Sequence, residues 1–187
     1  MQGPAAARGR VYTIGHSTRA LEEFVGLLTA HGVRALVDVR HYPGSRRHPQ
    51  FGKEPLEAGL RAAGIAYTHL PGLGGRRRAR PDSKNTAWRN DAFRGYADYM
   101  QTPEFEAGLA RLEEIARERP TAMMCAEAVW WRCHRGLISD AMKIRGWEIL
   151  HIESMAAPKE HPWTGAATVV DGVLSYEAAE REPGLFS

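Results

Sequence analysis

Two cysteines and the charged residues around them are the part of this sequence best suited to chemistry. Cys125 and Cys133 are its only cysteines, and His134 and Arg135 directly follow the second. A helix that begins there offers unpaired N–H groups and a partial positive charge, which favour a thiolate or a bound anion. We therefore predict a thiol-dependent site, with Cys125 or Cys133 as nucleophile and Glu127 or His134 moving the proton. The plainer alternative is that both thiols pack as small buried hydrophobic side chains.

Hydrophobic periodicity predicts the strands and helices that would position these residues. Short apolar runs indicate five strands, at residues 11–14, 35–39, 66–70, 121–124 and 148–152. Helical stripes lie between them, which is typical of a three-layer α/β sandwich with a mostly parallel central sheet. We expect a flexible N-terminus over residues 1–9 and a single domain over 10–187. Within it, residues 155–187 form an extension, where Asp171-Gly172 predicts a hairpin.

Polar residues collect where the predicted strands end. Ligands of open parallel sheets bind outside the carboxyl ends of the strands, so these residues are candidates for substrate binding. The candidates are His16, Ser17, Asp38, Arg40, Ser45, His69 and Arg135. Structural roles are the alternative for several of them. Ser17 or Thr18 could cap the first helix, and Asp38 with Arg40 could form a purely structural ion pair.

Positive charge is concentrated in one third of the chain. Residues 40–94 contain 12 Lys or Arg and four Asp or Glu, a net charge of +8, while the remaining residues carry −5. Arginine supplies 21 of the 25 cations, and its planar fork matches phosphate and carboxylate groups. We predict an anionic substrate, such as a phosphate-bearing small molecule or a nucleotide. The alternatives are general arginine enrichment, or a nucleic-acid-binding module that uses the arginine-rich 71–94 loop with Trp88, Trp130 or Trp131 stacking on bases.

The same cysteines and histidines also suggest a metal ion. Cys125, Cys133 and His134 could bind zinc or iron, with His16 or His69 as a further ligand. Two arguments oppose this hypothesis: adjacent Cys133 and His134 should point apart on a helix, and the spaced cysteine pairs of zinc sites are missing. We therefore expect no cofactor, with a metal centre as the alternative.

Composition predicts a cytoplasmic protein without membrane contact. The chain has 187 residues, of which 43% are hydrophobic and 25% are charged. No apolar run approaches the roughly 18 residues that cross a bilayer, and residues 1–9 lack the apolar middle of a signal peptide. Two cysteines are too few for a secreted disulfide scaffold. Reduced thiols are therefore expected.

Several motifs, in this order, resemble those of the domain of unknown function 488 family. They lie at residues 13–17 (TIGHS), 38–45, 69–75, 124–135 and 151–176. The resemblance implies a small cytoplasmic α/β domain of prokaryotes, without an established reaction. A weaker resemblance is to rhodanese-like domains, which also have an Asp-Val-Arg strand end and a reactive cysteine after a parallel strand. Their compact cysteine loop is absent here.

Overall fold

Six short strands form the central sheet in the computed structural model, which describes residues 8–179. The strands are β1 (Gly9–Gly15), β2 (Ala35–Asp38), β3 (Ala66–His69), β4 (Thr121–Cys125), β5 (Trp147–Ile152) and β6 (Lys159–Glu160). Their order across the sheet is β3-β2-β4-β1-β5-β6. The first five run parallel, and β6 pairs antiparallel with β5. The mostly parallel sheet is confirmed. Its sixth strand was not predicted, because two exposed residues give no periodic signal.

Five α-helices cover both faces of the sheet. They are α1 (Leu21–Ala30), α2 (Lys53–Ala62), α3 (Asp91–Tyr99), α4 (Pro103–Glu118) and α5 (Arg135–Ile144). One core joins α1 and α2 to sheet residues such as Leu36 and Met124. A second core joins α3, α4 and α5 to Val37 and Met123, which point to the opposite face. This alternation between two buried faces is what a parallel sheet requires. The three-layer prediction is confirmed.

The starts of two helices differ in how they are capped. Thr102 caps α4, since its Oγ1 accepts a hydrogen bond from the N–H of Phe105. The predicted Ser17 or Thr18 cap of α1 is wrong, because this helix begins at Leu21 and has no side-chain cap. Ser17 instead has a φ of 50° and donates its N–H to the carbonyl of Ala126. Pairing with the segment after β4 therefore continues past β1 and delays the helix.

The C-terminal hairpin forms where the Asp-Gly pair predicted it. Strands β7 (Thr168–Val170) and β8 (Val173–Ser175) flank Asp171 and Gly172, whose φ angles are 50° and 76°. Two positive φ angles are what a type I′ turn needs. Directly after β8, the buried Tyr176 donates its hydroxyl to Asp140 of α5 at 2.8 Å. This bond attaches the hairpin to the helix that follows the cysteines.

The order of the strands creates a crevice between β1 and β4. These strands are neighbours, but α1 follows β1 on one face of the sheet and α5 follows β4 on the other. Such a switch point leaves an opening at the carboxyl ends of the strands, where α/β proteins bind ligands. Over residues 8–179, no helix combines the length and the apolar character needed to span a bilayer.

Candidate active site

A cavity of about 810 Å³ lies at the carboxyl ends of β1, β2 and β4. Most of the site residues predicted from the sequence line it. These are His16, Ser17, Arg40, Ser45, Cys125, Glu127, Cys133 and His134. Three other predicted residues, Asp38, His69 and Arg135, are not among its lining residues. The fold therefore brings together one group of candidates and places the rest around it.

The two sulfurs and one imidazole nitrogen form a close cluster. Nδ1 of His134 lies 3.9 Å from Sγ of Cys125 and 3.7 Å from Sγ of Cys133. The expectation that Cys133 and His134 point apart on a helix is wrong. Cys133 has an extended backbone (φ −135°, ψ 148°) and precedes α5. His134 is the N-cap of α5 and already has helical backbone angles. This change of backbone conformation between adjacent residues lets both side chains meet Cys125.

The hydrogen bonds of His134 fix which of its nitrogens faces the sulfurs as an acceptor. Its Nε2 lies 2.9 Å from the carbonyl oxygen of Val39. A carbonyl can only accept, so Nε2 carries the proton and Nδ1 of the neutral ring presents a lone pair to the thiols. His134 is therefore oriented to take a proton from a thiol. After that transfer, both ring nitrogens would donate, one to sulfur and one to Val39.

Of the two buried thiols, Cys133 ionises first. Burial raises the pKa of Cys133, but the hydrogen bond with Cys125, the charge that His134 carries once it has taken a proton, and the charge of Arg135 reverse this, so the pKa lies well below its usual value. The hydrogen bond to Cys133 and burial together raise the pKa of Cys125 well above its usual value. The N–H of Arg135 also points at Sγ of Cys133, at 3.5 Å. Low-pKa thiolates with such partners are the reactive cysteines of proteins.

Asp38 and Arg40 form a buried ion pair beneath the cavity. The carboxylate of Asp38 accepts hydrogen bonds from Nε of Arg40 at 2.9 Å and from Nη2 of Arg40 at 2.7 Å. It also accepts a hydrogen bond from the hydroxyl of Tyr67 at 2.7 Å. Burial and the hydrogen bond to Asp38 raise the pKa of Tyr67 well above its usual value, so Tyr67 remains a donor. Two guanidinium nitrogens of Arg40 bind Asp38, whereas its Nη1 has no partner among the hydrogen bonds of the described residues.

His69 and Arg135 support the walls of the site. Nε2 of His69 lies 2.8 Å from the carbonyl oxygen of Arg40, which fixes the chain just after β2. Arg135 is 2% exposed and donates to Oγ1 of Thr13 and to the carbonyl of Glu127. It therefore joins the start of α5 to β1 and to the segment after Cys125.

Gly15 allows the segment after Cys125 to approach β1 closely. A Cβ at Gly15 would lie 1.8 Å from the carbonyl oxygen of Glu127, a distance that no side chain tolerates. The side chain of Glu127 is exposed and lines the cavity, whereas its carbonyl is held by Arg135. Ser45 shapes the opposite loop, where its hydroxyl accepts the N–H of His48 at 2.9 Å.

Several cationic and imidazole side chains of the cavity were not predicted as site residues. They are His41, Arg47, His48, Arg76 and Arg132. With Arg40 they give the cavity four arginines, and Glu127 is the one acidic side chain among its lining residues. A usable signal was present for two of the missed residues, since Arg47 and His48 stand in the polar loop that directly follows β2. Arg76 was recognised only as part of a basic loop.

The arginine-rich loop is anchored rather than free along its length. The carboxylate of Asp98 accepts hydrogen bonds from the N–H of Arg80, the hydroxyl of Ser83 and the amide of Asn85. Two of the three tryptophans predicted as base-stacking platforms have internal partners. Trp130 stacks on His151 with ring centroids 4.7 Å apart, and Trp88 packs against Phe93 and Tyr176. Trp131 is 54% exposed.

A chain of buried polar groups runs from Arg135 to Asp140. Oγ1 of Thr13 lies 2.7 Å from Nδ1 of His151, whose Nε2 lies 2.9 Å from Nδ1 of His161. Nε2 of His161 lies 2.9 Å from Asp140. If each ring donates through the nitrogen nearer to Asp140, every contact in the chain pairs one donor with one acceptor. This network fixes Arg135, and through it the walls of the cavity.

The free energy of unfolding should fall as the pH drops from about 6.5 to about 4. Burial lowers the pKa of His16 to about 4 and that of His151 to about 2. In the unfolded chain both take up a proton near pH 6.5. The unfolded state therefore binds more protons in this window, and each histidine contributes a slope of up to about 1.4 kcal/mol per pH unit.

Urea unfolding at a series of pH values measures this slope. His16→Phe should remove the contribution of one histidine. A free energy that stays constant or rises towards pH 4 would show that these rings are not held neutral.

These features define the class of the protein: a three-layer α/β domain with a Cys-Cys-His cluster in a cationic cavity at the sheet edge. The family described as "Domain of unknown function DUF488" matches residues 20–142. The chain belongs to this family, as its motifs predicted. No curated protein and no solved structure matched the chain at the significance we required. The rhodanese-like resemblance therefore found no support in these comparisons.

Proposed function

We propose that this protein is a thiol-dependent enzyme that acts on an anionic substrate in the cavity. The observation that carries the proposal is the position of Nδ1 of His134, which faces both sulfurs at 3.7–3.9 Å within a cavity lined by four arginines. A thiol and a base within hydrogen-bonding reach of each other are the signature of an activated nucleophile. The reduced thiols this requires fit a cytoplasmic location.

In the proposed reaction, Cys133 is the nucleophile. His134 takes its proton, and the thiolate attacks an electrophilic carbon or phosphorus atom of the substrate. As the bond to sulfur forms, the leaving group departs with its electron pair and receives a proton from His134 or from Glu127. Water or a second substrate then releases the covalent intermediate, so the enzyme is a hydrolase or a transferase.

The arginines supply the second half of the proposal. Arg47, Arg76 and Arg132 are exposed and line the cavity. Guanidinium groups only donate hydrogen bonds and keep their charge, so they favour a phosphate or carboxylate group of the substrate. Arg40, whose charge is balanced by Asp38, would add only its free Nη1.

Alkylation with a charged and a neutral reagent tests both halves together. Iodoacetate is an anion and iodoacetamide is not, while both form the same sulfur–carbon bond and release iodide. Relative to a free cysteine peptide, Cys133 of metal-free protein should prefer iodoacetate by about tenfold. Peptide mass spectrometry distinguishes Cys133 from Cys125. The preference should fall in the Arg47→Ala/Arg132→Ala double variant.

Arg111→Ala is the matched control, because Arg111 is an exposed arginine of α4 outside the cavity. Its preference should equal that of the unaltered protein. A ratio for Cys133 equal to that of the free peptide would mean that the arginines do not guide an anion to the thiol.

A metal centre is the second candidate function, favoured by one observation. Sγ of Cys125, Sγ of Cys133 and Nδ1 of His134 all lie within 4.8 Å of one another. Three ligands with a fourth position open to a cavity are typical of catalytic zinc. His134 also donates its Nε2–H to a backbone carbonyl, as metal-binding histidines usually do with the ring nitrogen that does not bind the metal. His16 and His69, the further ligands considered from the sequence, do not join this group.

Metal analysis of protein purified without chelator separates the two candidates. A metal centre predicts roughly one zinc or iron ion per chain, lost in Cys125→Ser. Protein that contains no metal, binds no added zinc and alkylates rapidly would exclude the metal centre.

A further inference from the structure

His16 presents a buried hydrogen-bond acceptor that no residue between positions 8 and 179 uses. Its Nδ1 lies 2.9 Å from the carbonyl oxygen of Ser17, so Nδ1 carries the proton and Nε2 of the neutral ring has a free lone pair. The residue is 2% exposed, and Nε2 has no hydrogen-bond partner among the described residues. An unpaired buried acceptor costs free energy, so a native structure normally supplies it with a partner, such as an ordered water or a ligand.

The surroundings of His16 keep its ring neutral. It stacks on Phe51 with ring centroids 4.2 Å apart and planes at 15°. Burial lowers the pKa of His16 to about 4, and the charge of Arg40 acts in the same direction. At neutral pH, Nε2 therefore accepts a hydrogen bond and does not donate one.

The side chain that carries this acceptor is part of the wall of a cavity whose charged groups are nearly all donors. His16 lines the cavity together with Arg40, Arg47, Arg76 and Arg132. An oxyanion with no proton satisfies the arginines but leaves Nε2 of His16 without a partner. An oxyanion that keeps one O–H satisfies both.

We infer that His16 makes the site select an oxyanion that still carries a proton, namely a phosphate-type group with one O–H rather than a sulfate. The inference rests on the proposed function, since it needs an anion in this cavity. It adds the substrate class and assigns Nε2 of His16 as the group that recognises the acid proton. Sites built around a hydrogen bond of this kind reject analogues that lack the donor.

Inorganic phosphate and sulfate are the probes that test this inference. In mildly alkaline solution both are largely dianions of the same shape, but phosphate keeps an O–H. Each is titrated, at constant ionic strength, for protection of Cys133 against iodoacetamide. Phosphate should bind about tenfold or more tightly than sulfate. In a ¹⁵N spectrum, phosphate should shift the Nε2 resonance of His16, whereas sulfate should not.

Variants of two histidines in the same cavity localise the effect. His16→Phe keeps an aromatic ring stacked on Phe51 but has no acceptor. It should reduce the ratio of phosphate affinity to sulfate affinity to about one. His16→Gln places an amide oxygen near the position of Nε2 and should restore part of the ratio. His48→Phe is the matched control, since the ring of His48 lies 6.0 Å from that of His16 and also lines the cavity. It should leave the ratio unchanged.

The outcomes separate the inference from the proposal beneath it. If phosphate and sulfate protect Cys133 equally, the inference is wrong and the anion site remains. If neither protects, both are wrong. A selective wild-type protein whose ratio survives in His16→Phe would assign the selectivity to another residue and also overturn the inference.

Discussion

Replacing Asp38 with alanine should lower the free energy of unfolding by about 3–5 kcal/mol. Asp38 is fully buried, and Arg40 is 5% exposed. Without the carboxylate, Arg40 keeps a buried charge with no counterion, and the hydroxyl of Tyr67 loses its acceptor. Urea unfolding of the variant and the unaltered protein measures the loss.

A double variant shows whether the ion pair is the cause. Asp38→Ala combined with Arg40→Met removes both charges, and a buried pair replaced by apolar side chains is often neutral in stability. The double variant should recover at least half of the loss. The ion pair would be shown to contribute little if Asp38→Ala lowered the free energy of unfolding by less than about 1 kcal/mol. A double variant less stable than Asp38→Ala alone would show the same.

The second large effect is expected at His134. His134→Phe keeps an aromatic ring at this position but removes the acceptor that lies 3.7 Å from Sγ of Cys133. The alkylation rate of Cys133 by iodoacetamide at neutral pH should fall by about 100-fold, the scale of a lost general base. Stopped-flow or quenched labelling with mass spectrometry measures the rate.

His31→Phe is the matched control for His134→Phe. His31 also bonds a carbonyl through Nε2, that of Ser154, but is not among the residues lining the cavity. Its loss should leave the alkylation rate of Cys133 unchanged. If both variants slow the reaction equally, a general loosening of the fold and not the base explains the effect.

The sequence was sufficient to predict the layers of the fold and the residues on one side of the site. Buried strands are recognisable as apolar runs in the sequence. Because the carboxyl ends of parallel strands lie at one edge of the sheet, Cys125 and His16 could be predicted to lie close together. The hairpin was equally readable, because Asp171-Gly172 favours the positive φ angles of a type I′ turn. These features depend on short-range pattern and on topology.

Features set by the path of a loop could not be read in this way. The change of backbone conformation between Cys133 and His134 brings their side chains together, and nothing in the local composition specifies it. Arg76 and Arg132 come from loops far apart in the chain, and only the folded structure places both at one cavity. Likewise, the sequence suggested Ser17 as a helix cap, but in the structure its N–H is bonded to the segment that follows β4.

The pH dependence of alkylation at Cys133, in metal-free protein, tests the central claim most directly. We expect Cys133 to react with an apparent pKa well below the roughly 8.5 of a free thiol, and Cys125 to react with one above it. Two cysteines that both titrate near the free value, or that resist the reagent at every pH in the folded protein, would contradict it.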